Sequence, residues 1–373
     1  MQARTLHIIS RHRDHPGVIA SLADFDWREG EPISLDALYA DPTISLYCLD
    51  HASEQAIFTK LPDGIDLSQA PFVYQTQFDM AEHLVALPYL DFAGFADSIE
   101  FPQESAFFLH NIGRCGSTAL CRFLNEAPGV VALSEPDALT GVLTGRFSRT
   151  WRSAFIQACS VWLFRPAAID GNSHFVVKLR NQAVADMKAF VDSMPHAKHI
   201  FLYRNVMEWL ASFYRLRVNR GDKPTRYSRQ QIINQQVSYF GCPPADIERY
   251  APREISTYLS LEGRALGWLF MLGRYLDLHE NQWSISAIRY EDLLADRGSL
   301  LQRVLAMMGL PSETWDGADR TFDQDAQAGT IFARDGDLGN TISLPASMQA
   351  TVHELLAHQP VLNRTDFILP GTI

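Results

Sequence analysis

Gly113-Arg-Cys-Gly-Ser-Thr118 links the apolar run from Ala106 to Leu109 to a segment with helical spacing. These residue types suit anion chemistry. Gly113 and Gly116 let the loop fold tightly and bring its backbone close to a ligand. Ser117 and Thr118 place hydroxyls and free N–H groups at the positive end of the helix, where phosphate or sulfate binds readily. Arg114 adds a planar fork that grips an oxyanion in two places, whereas Lys is a point charge. A Walker A loop needs Lys directly before its hydroxyl residue. Here Gly116 takes that place, and Arg114 stands two positions before the second glycine. A plain Gly/Ser turn ahead of a helix is the competing reading.

Arg204 and Ser212 form a second constellation. Ile200 to Tyr203 is a short apolar run that predicts a strand with Arg204 at its carboxyl end. Val206 to about Arg217 has helical spacing, with Val206, Trp209, Leu210, Phe213 and Leu216 on one stripe and Ser212 two turns in. Open parallel sheets bind ligands beyond the carboxyl ends of their strands, so Arg204 and the first loop should share a crevice. Without a ligand, Arg204 is a solvated strand-end charge and Ser212 is helical filler. Glu135 and Lys178 stand at two further strand ends. Glu135 follows the Pro128-Gly129 turn and the strand Val130 to Leu133. Lys178, with Arg180 close behind, closes His174-Phe-Val-Val-Lys-Leu-Arg180.

Together these residues resemble the PAPS-dependent sulfotransferases. That family uses a 5′-phosphosulfate loop of the type R-[SC]-G-[ST]-T and a 3′-phosphate motif of Arg and Ser eight apart. Gly113 to Thr118 matches the first, and Arg204 with Ser212 matches the second. A third family feature, a late strand ending in Tyr-Glu-Asp-Leu, then a helix and Gly-Leu-Pro, matches Ile285 to Leu294, Leu300 to Met308 and Gly309 to Pro311. The matches run in order from about residue 104 to about 312. The resemblance implies PAPS as co-substrate, no metal requirement, and a nucleotide site of Gly113, Arg114, Cys115, Gly116, Ser117, Thr118, Arg204 and Ser212. It also implies catalytic roles for Glu135, Lys178 and Arg114.

In the tyrosylprotein-type branch of the family a glutamate follows the loop arginine by twenty-one positions, as Glu135 follows Arg114. Sulfuryl transfer needs a group to take the acceptor's proton, and a carboxylate can do so. Ser134-Glu-Pro-Asp137 also reads as a helix start with Ser134 as N-cap. By resemblance, Lys178 neutralises the sulfuryl group as charge moves toward the departing phosphate. Arg180 could serve instead, or either could be a surface ion pair.

The elements that position these residues alternate. Strands are expected near 106–110, 130–133, 174–179, 199–203 and 284–289, with long helices between. That order predicts an α/β fold: a central parallel sheet flanked by helices, of the three-layer, P-loop-like kind that sulfotransferases share. Residues 254–279 carry the longest helical pattern. The first hundred residues read differently. Ile44 to Leu49 and Gln55 to Lys60 predict a hairpin. Asp79 to Leu87 predicts a short helix ending before Pro88. The expected division is an N-terminal α+β extension, residues 1–100, packed on a sulfotransferase-like domain, residues 101–373. Asp323 to Thr330 is a polar loop that could close over the nucleotide.

Composition narrows the class. The 373 residues are 47% hydrophobic and 20% charged, enough for real cores. A net charge of −11 speaks against nucleic acid or anionic membrane as partner. The cation needed by a doubly phosphorylated nucleotide must therefore be local. Cys48, Cys115, Cys121, Cys159 and Cys242 are scattered, odd in number and without a CxxC pair, which points to neither disulfide scaffold nor zinc site. Cys115 is either a reactive loop thiol or a small packing residue. With no long apolar run and no signal-like start, a cytoplasmic enzyme is expected. The acceptor is expected to be a small molecule carrying a hydroxyl or amine. Phe147, Trp151, Phe155, Trp162, Tyr227 and Tyr239, from 137–166 and 221–252, would line its cleft or belong to the core. Two rivals stay open: a kinase or NTPase on a related fold, which would want a Walker lysine and a Mg²⁺-holding Asp, and an inactive nucleotide-binding protein.

Overall fold

The computed structural model describes residues 2–15, 17–145, 147–311, 322 and 343–373. The expected loop from Asp323 to Thr330 lies outside them. The chain divides into two compact units, one of Met1–Leu109, Leu120–Arg180 and Lys188–Lys198, the other of His110–Ala119, Asn181–Met187 and His199–Ile373.

The first unit opens with an antiparallel sheet of β1 (Gln2–Arg11), β2 (Phe25–Ser34), β3 (Ile44–Asp50), β4 (Gln55–Lys60) and β5 (His83–Pro88), in the order β2-β1-β5-β4-β3. The expected hairpin is β3 with β4. β2 forms one edge, and its pairing with β1 shifts register between Arg4 and Leu6 and again between Ile8 and Ser10. The helix expected from Asp79 to Leu87 is corrected. A helix does form, but over Val73–Met80, and the chain then turns into β5. Leu84 to Leu87 are all buried in a strand flanked by β1 and β4. A strand covered on both faces shows no alternation, so its apolar run cannot be told from a helical one.

The parallel sheet matches expectation. β6 (Ala106–Asn111), β7 (Val130–Ser134), β8 (His174–Lys178), β9 (Lys198–Tyr203) and, later, β12 (Ser286–Arg289) lie in the order β12-β9-β6-β8-β7, with helices between successive strands. β7 pairs parallel with β8 so that Ser134 stands opposite Lys178. This register places Glu135 and Lys178 at neighbouring strand ends. Between β9 and β12 a two-stranded ribbon, β10 (Arg226–Ser228) and β11 (Thr257–Leu259), precedes the helix Arg264–Glu280. The helix expected from residue 254 thus starts ten residues later, because Thr257 to Leu259 pair with β10.

Among the described residues the longest helix is Arg149–Ile169, at 21 residues, with Pro166 inside its last turn. It forms part of the first unit's core. Trp162 stacks on Phe92 and donates its indole N–H to the Phe92 carbonyl at 3.2 Å. The buried Arg165 guanidinium donates to the carbonyls of Leu38, Asp41 and Ile44 and lies 5.6 Å from the Trp162 ring. Its hydrogen bonds go to carbonyl dipoles, and burial outweighs the favourable Asp41 charge and pulls its pKa down to about 10.

Candidate active site

The second unit holds the glycine loop from Gly113 to Thr118. Ile112 ties the loop to β9 by donating its N–H to Leu202 at 3.2 Å. The backbone is left-handed at Gly113 (φ 72°), Arg114 (φ 54°) and Gly116 (φ 79°). Runs of this kind fold peptide N–H groups into anion-binding nests. For Arg114, a non-glycine, the conformation costs about 1–3 kcal/mol, a sign that the surroundings impose it. The helix Ser117–Asn125 begins where the loop ends.

Arg204 leaves β9 beside this loop, donating from Nη1 to the Arg114 carbonyl at 3.3 Å. Its guanidinium lies 4.6 Å from the Tyr290 ring, Nη2 stands 3.5 Å from Glu208 Oε2, and the buried Nε has no hydrogen-bond partner among the described residues. The flanking groups are all tied down. Trp268 donates to the Arg204 carbonyl at 2.9 Å, Trp209 to the Gly113 carbonyl at 2.8 Å, and the Asn205 N–H to Glu291 at 3.0 Å. Ser212, one turn beyond Trp209, is buried and donates its hydroxyl to the Trp209 carbonyl at 2.7 Å. That hydroxyl must rotate to donate to a phosphate.

Gly116 and Tyr290 lock the loop to the third motif. A methyl group on residue 116 would stand 2.8 Å from two carbons of the Tyr290 ring. Tyr290 thus occupies the space that a side chain would need, while its other contact is Arg204. Replacing Gly116 by Ala combines left-handed strain with a collision. The expected loss is about 1–3 kcal/mol of stability, read by chemical denaturation, and weaker anion binding through a displaced Tyr290. A Gly116→Ala variant as stable as the parent would show that the loop relaxes freely.

The first unit holds the carboxylate and the lysine. Glu135 follows directly on β7 and, like Arg114, is a non-glycine residue with a left-handed backbone, at φ 56°. Its N–H donates to the Lys178 carbonyl at 2.7 Å, and its Oε1 accepts from Lys178 Nζ at 2.6 Å. Oε2 has no hydrogen-bond partner among the described residues. Ser134 is not a helix cap: it ends β7 and donates to the Pro71 carbonyl at 2.7 Å, and the next helix, Asp137–Thr144, starts from Pro136.

Arg180 is engaged elsewhere. It grips Asp137 in a two-pronged pair, with Nη2 at 2.7 Å from Oδ2, and donates to the Gly17 carbonyl at 2.8 Å. Burial opposes its charge, but the Asp137 carboxylate outweighs that and raises its pKa. The Ala20 N–H also donates to Asp137 at 2.7 Å, and Arg13 Nη2 lies 3.7 Å from the same carboxylate.

In the second unit, Gly113, Arg114, Gly116 and Arg204 come together as expected, and Ser212 lies on the helix that Arg204 precedes. Glu135 and Lys178 meet in the first unit. Cys115 is completely buried and packs; Cys48, Cys121, Cys159 and Cys242 are buried too. Of the aromatics left between cleft and core, Phe155 and Trp162 belong to the core, whereas Trp151 and Tyr239 are 44% and 45% exposed. Sequence reasoning gave no role to Trp209, Trp268 or Tyr290. Trp209 and Tyr290 lay inside motifs already recognised. Trp268 sits mid-helix and carried no separate signal.

No protein-family model and no curated protein matches the chain. Solved structures similar to it are sulfotransferases. The sulfotransferase of Alicyclobacillus acidocaldarius is 15% identical with a TM-score of 0.38, over 69% of this chain and 91% of that one. The sulfotransferase domain of the Synechococcus PCC 7002 olefin synthase is 18% identical with a TM-score of 0.37, over 71% and 95%. A mouse sulfotransferase complexed with PAP is 14% identical with a TM-score of 0.39, over 72% and 88%. Among the described residues no helix is long and apolar enough to cross a membrane.

Proposed function

We propose that the chain moves a sulfuryl group from PAPS to a hydroxyl or amine of a small-molecule acceptor. The observation that carries this reading is the interlock of three motifs in one unit. Tyr290 packs against Gly116 of the loop and against Arg204, whose Nη1 reaches the Arg114 carbonyl. A loop for one anionic group and, beside it, a guanidinium held only loosely by Glu208 at 3.5 Å for another are what a nucleotide with separate 5′ and 3′ anions requires. In the reaction the acceptor oxygen or nitrogen forms a bond to sulfur. The sulfur–oxygen bond to the 5′-phosphate breaks, and its electron pair leaves with PAP. The acceptor's proton passes to Glu135, whose Oε2 is the free oxygen. Arg114 and the N–H groups of residues 116 to 118 hold the donor's phosphosulfate. Net charge of −11 supports a neutral or cationic acceptor over a polyanionic polysaccharide.

The kinase reading lacks its lysine, since Gly116 stands before Ser117. Ligand linkage separates the two. PAP should raise the melting temperature without Mg²⁺ and more than ATP·Mg does, and labelled sulfur from PAPS should pass to small alcohols, phenols or amines. Equal shifts from ATP, a shift that needs Mg²⁺, or transfer only to heparan-like chains would overturn the proposal.

A further inference from the structure

The Lys178 ammonium is enclosed. The residue is 2% exposed, and Nζ donates to Glu135 Oε1 at 2.6 Å and to Ser134 Oγ at 3.3 Å, with the Phe72 ring centroid 5.2 Å away. Two of its three N–H groups are thus taken by hydrogen bonds. Lys178 also holds Glu135 from the main chain, its carbonyl accepting the Glu135 N–H at 2.7 Å. One residue thereby fixes both ends of a glutamate whose backbone is left-handed.

We infer that Lys178 is the positioning residue for Glu135, orienting the carboxylate, rather than a contact to the transferring sulfuryl group. The inference rests on Glu135 being the base. Of its two oxygens, Oε1 is pinned by the ammonium, so Oε2 is presented to the acceptor. Arg180 follows β8 and feels the Glu135 charge, but its hydrogen bonds go to Asp137 and not to Glu135. Tyr74, from the helix Val73–Met80, and Cys121, from the helix Ser117–Asn125, are both pushed up to about 12 by burial and stay neutral. Arg122 lies next to Cys121 in that helix.

The test is steady-state transfer by the full chain carrying Lys178→Met, Lys178→Arg, Glu135→Gln or the Lys178→Met/Glu135→Gln pair, each first checked for a PAP-dependent melting shift. Without the ammonium the carboxylate is no longer pinned, so Lys178→Met should lower kcat about 10²-fold with KM for PAPS and PAP binding kept. Lys178→Arg, which can still hold Oε1, should recover most of that loss, and the double variant should be little slower than Glu135→Gln alone, because the lysine acts only through the base. Ser134→Ala, which removes one partner of the ammonium, should lower kcat less and covers the case in which Lys178→Met does not fold. Fully additive losses in the double variant, or no recovery with Lys178→Arg, would overturn the inference and return Lys178 to the sulfuryl group. Normal turnover in Glu135→Gln would instead remove the base on which it rests.

Discussion

Glu135→Gln lowers turnover by about 10²–10⁴-fold, while PAP stabilises the variant as it does the parent. Gln has the shape of Glu, carries an oxygen that can still accept from Lys178, and meets the same left-handed backbone cost at φ 56°. What it lacks is the ability to take a proton. The loss therefore falls on kcat. Calorimetric PAP titration and steady-state transfer assays on one preparation separate the outcomes. A variant with ordinary turnover but weaker PAP binding and lower stability would make Glu135 a residue of chain geometry alone.

Arg204→Ala weakens PAP binding by about 2–4 kcal/mol, the usual loss when a charged hydrogen-bonded partner is truncated, or roughly 30- to 1000-fold in Kd. Two effects combine. The 3′-phosphate loses its guanidinium, and Tyr290 loses the cation 4.6 Å from its ring, so the wall against Gly116 loosens. Adenosine 5′-phosphosulfate, which lacks the 3′-phosphate, provides the control: its weaker binding should change far less. Equal losses for both nucleotides would place the effect in the loop. No loss for PAP would remove Arg204 from the nucleotide site.

The glycine loop and the parallel sheet were legible because local pattern and element order coincide there. Gly113 to Thr118, Glu135, Lys178 and Arg204 each follow a short apolar run that is buried on both faces, and glycines mark where the chain turns. The N-terminal sheet was harder. β1 and β2 carry exposed residues on much of their length, including Arg28, Glu29 and Glu31, so apolar alternation is faint. β5 hid for the opposite reason, being apolar throughout. The helix Arg149–Ile169 was obscured by Pro166, which it tolerates in its last turn. Lys178 and Glu135 were each noticed, but their pairing was not. It depends on the register of β7 with β8 across 43 residues of sequence, and no local pattern encodes that register.

β2 carries a consequence for the molecule among its own copies. It is ten residues long and stands at the rim of its sheet, so one row of its peptide groups lacks a neighbouring strand. Such a rim invites strands from other molecules. Pro32 offers no N–H to an incoming strand, and Asp26, Glu29 and Glu31 stand exposed along the same strand. An identical rim brought alongside would meet these three carboxylates with its own three against a single exposed Arg28, in a chain already at −11. The two breaks in register against β1 twist the rim further from the flatness that templated growth demands. Crowded chains therefore meet a rim that repels its own likeness, and the molecule can keep a long open strand without seeding fibres.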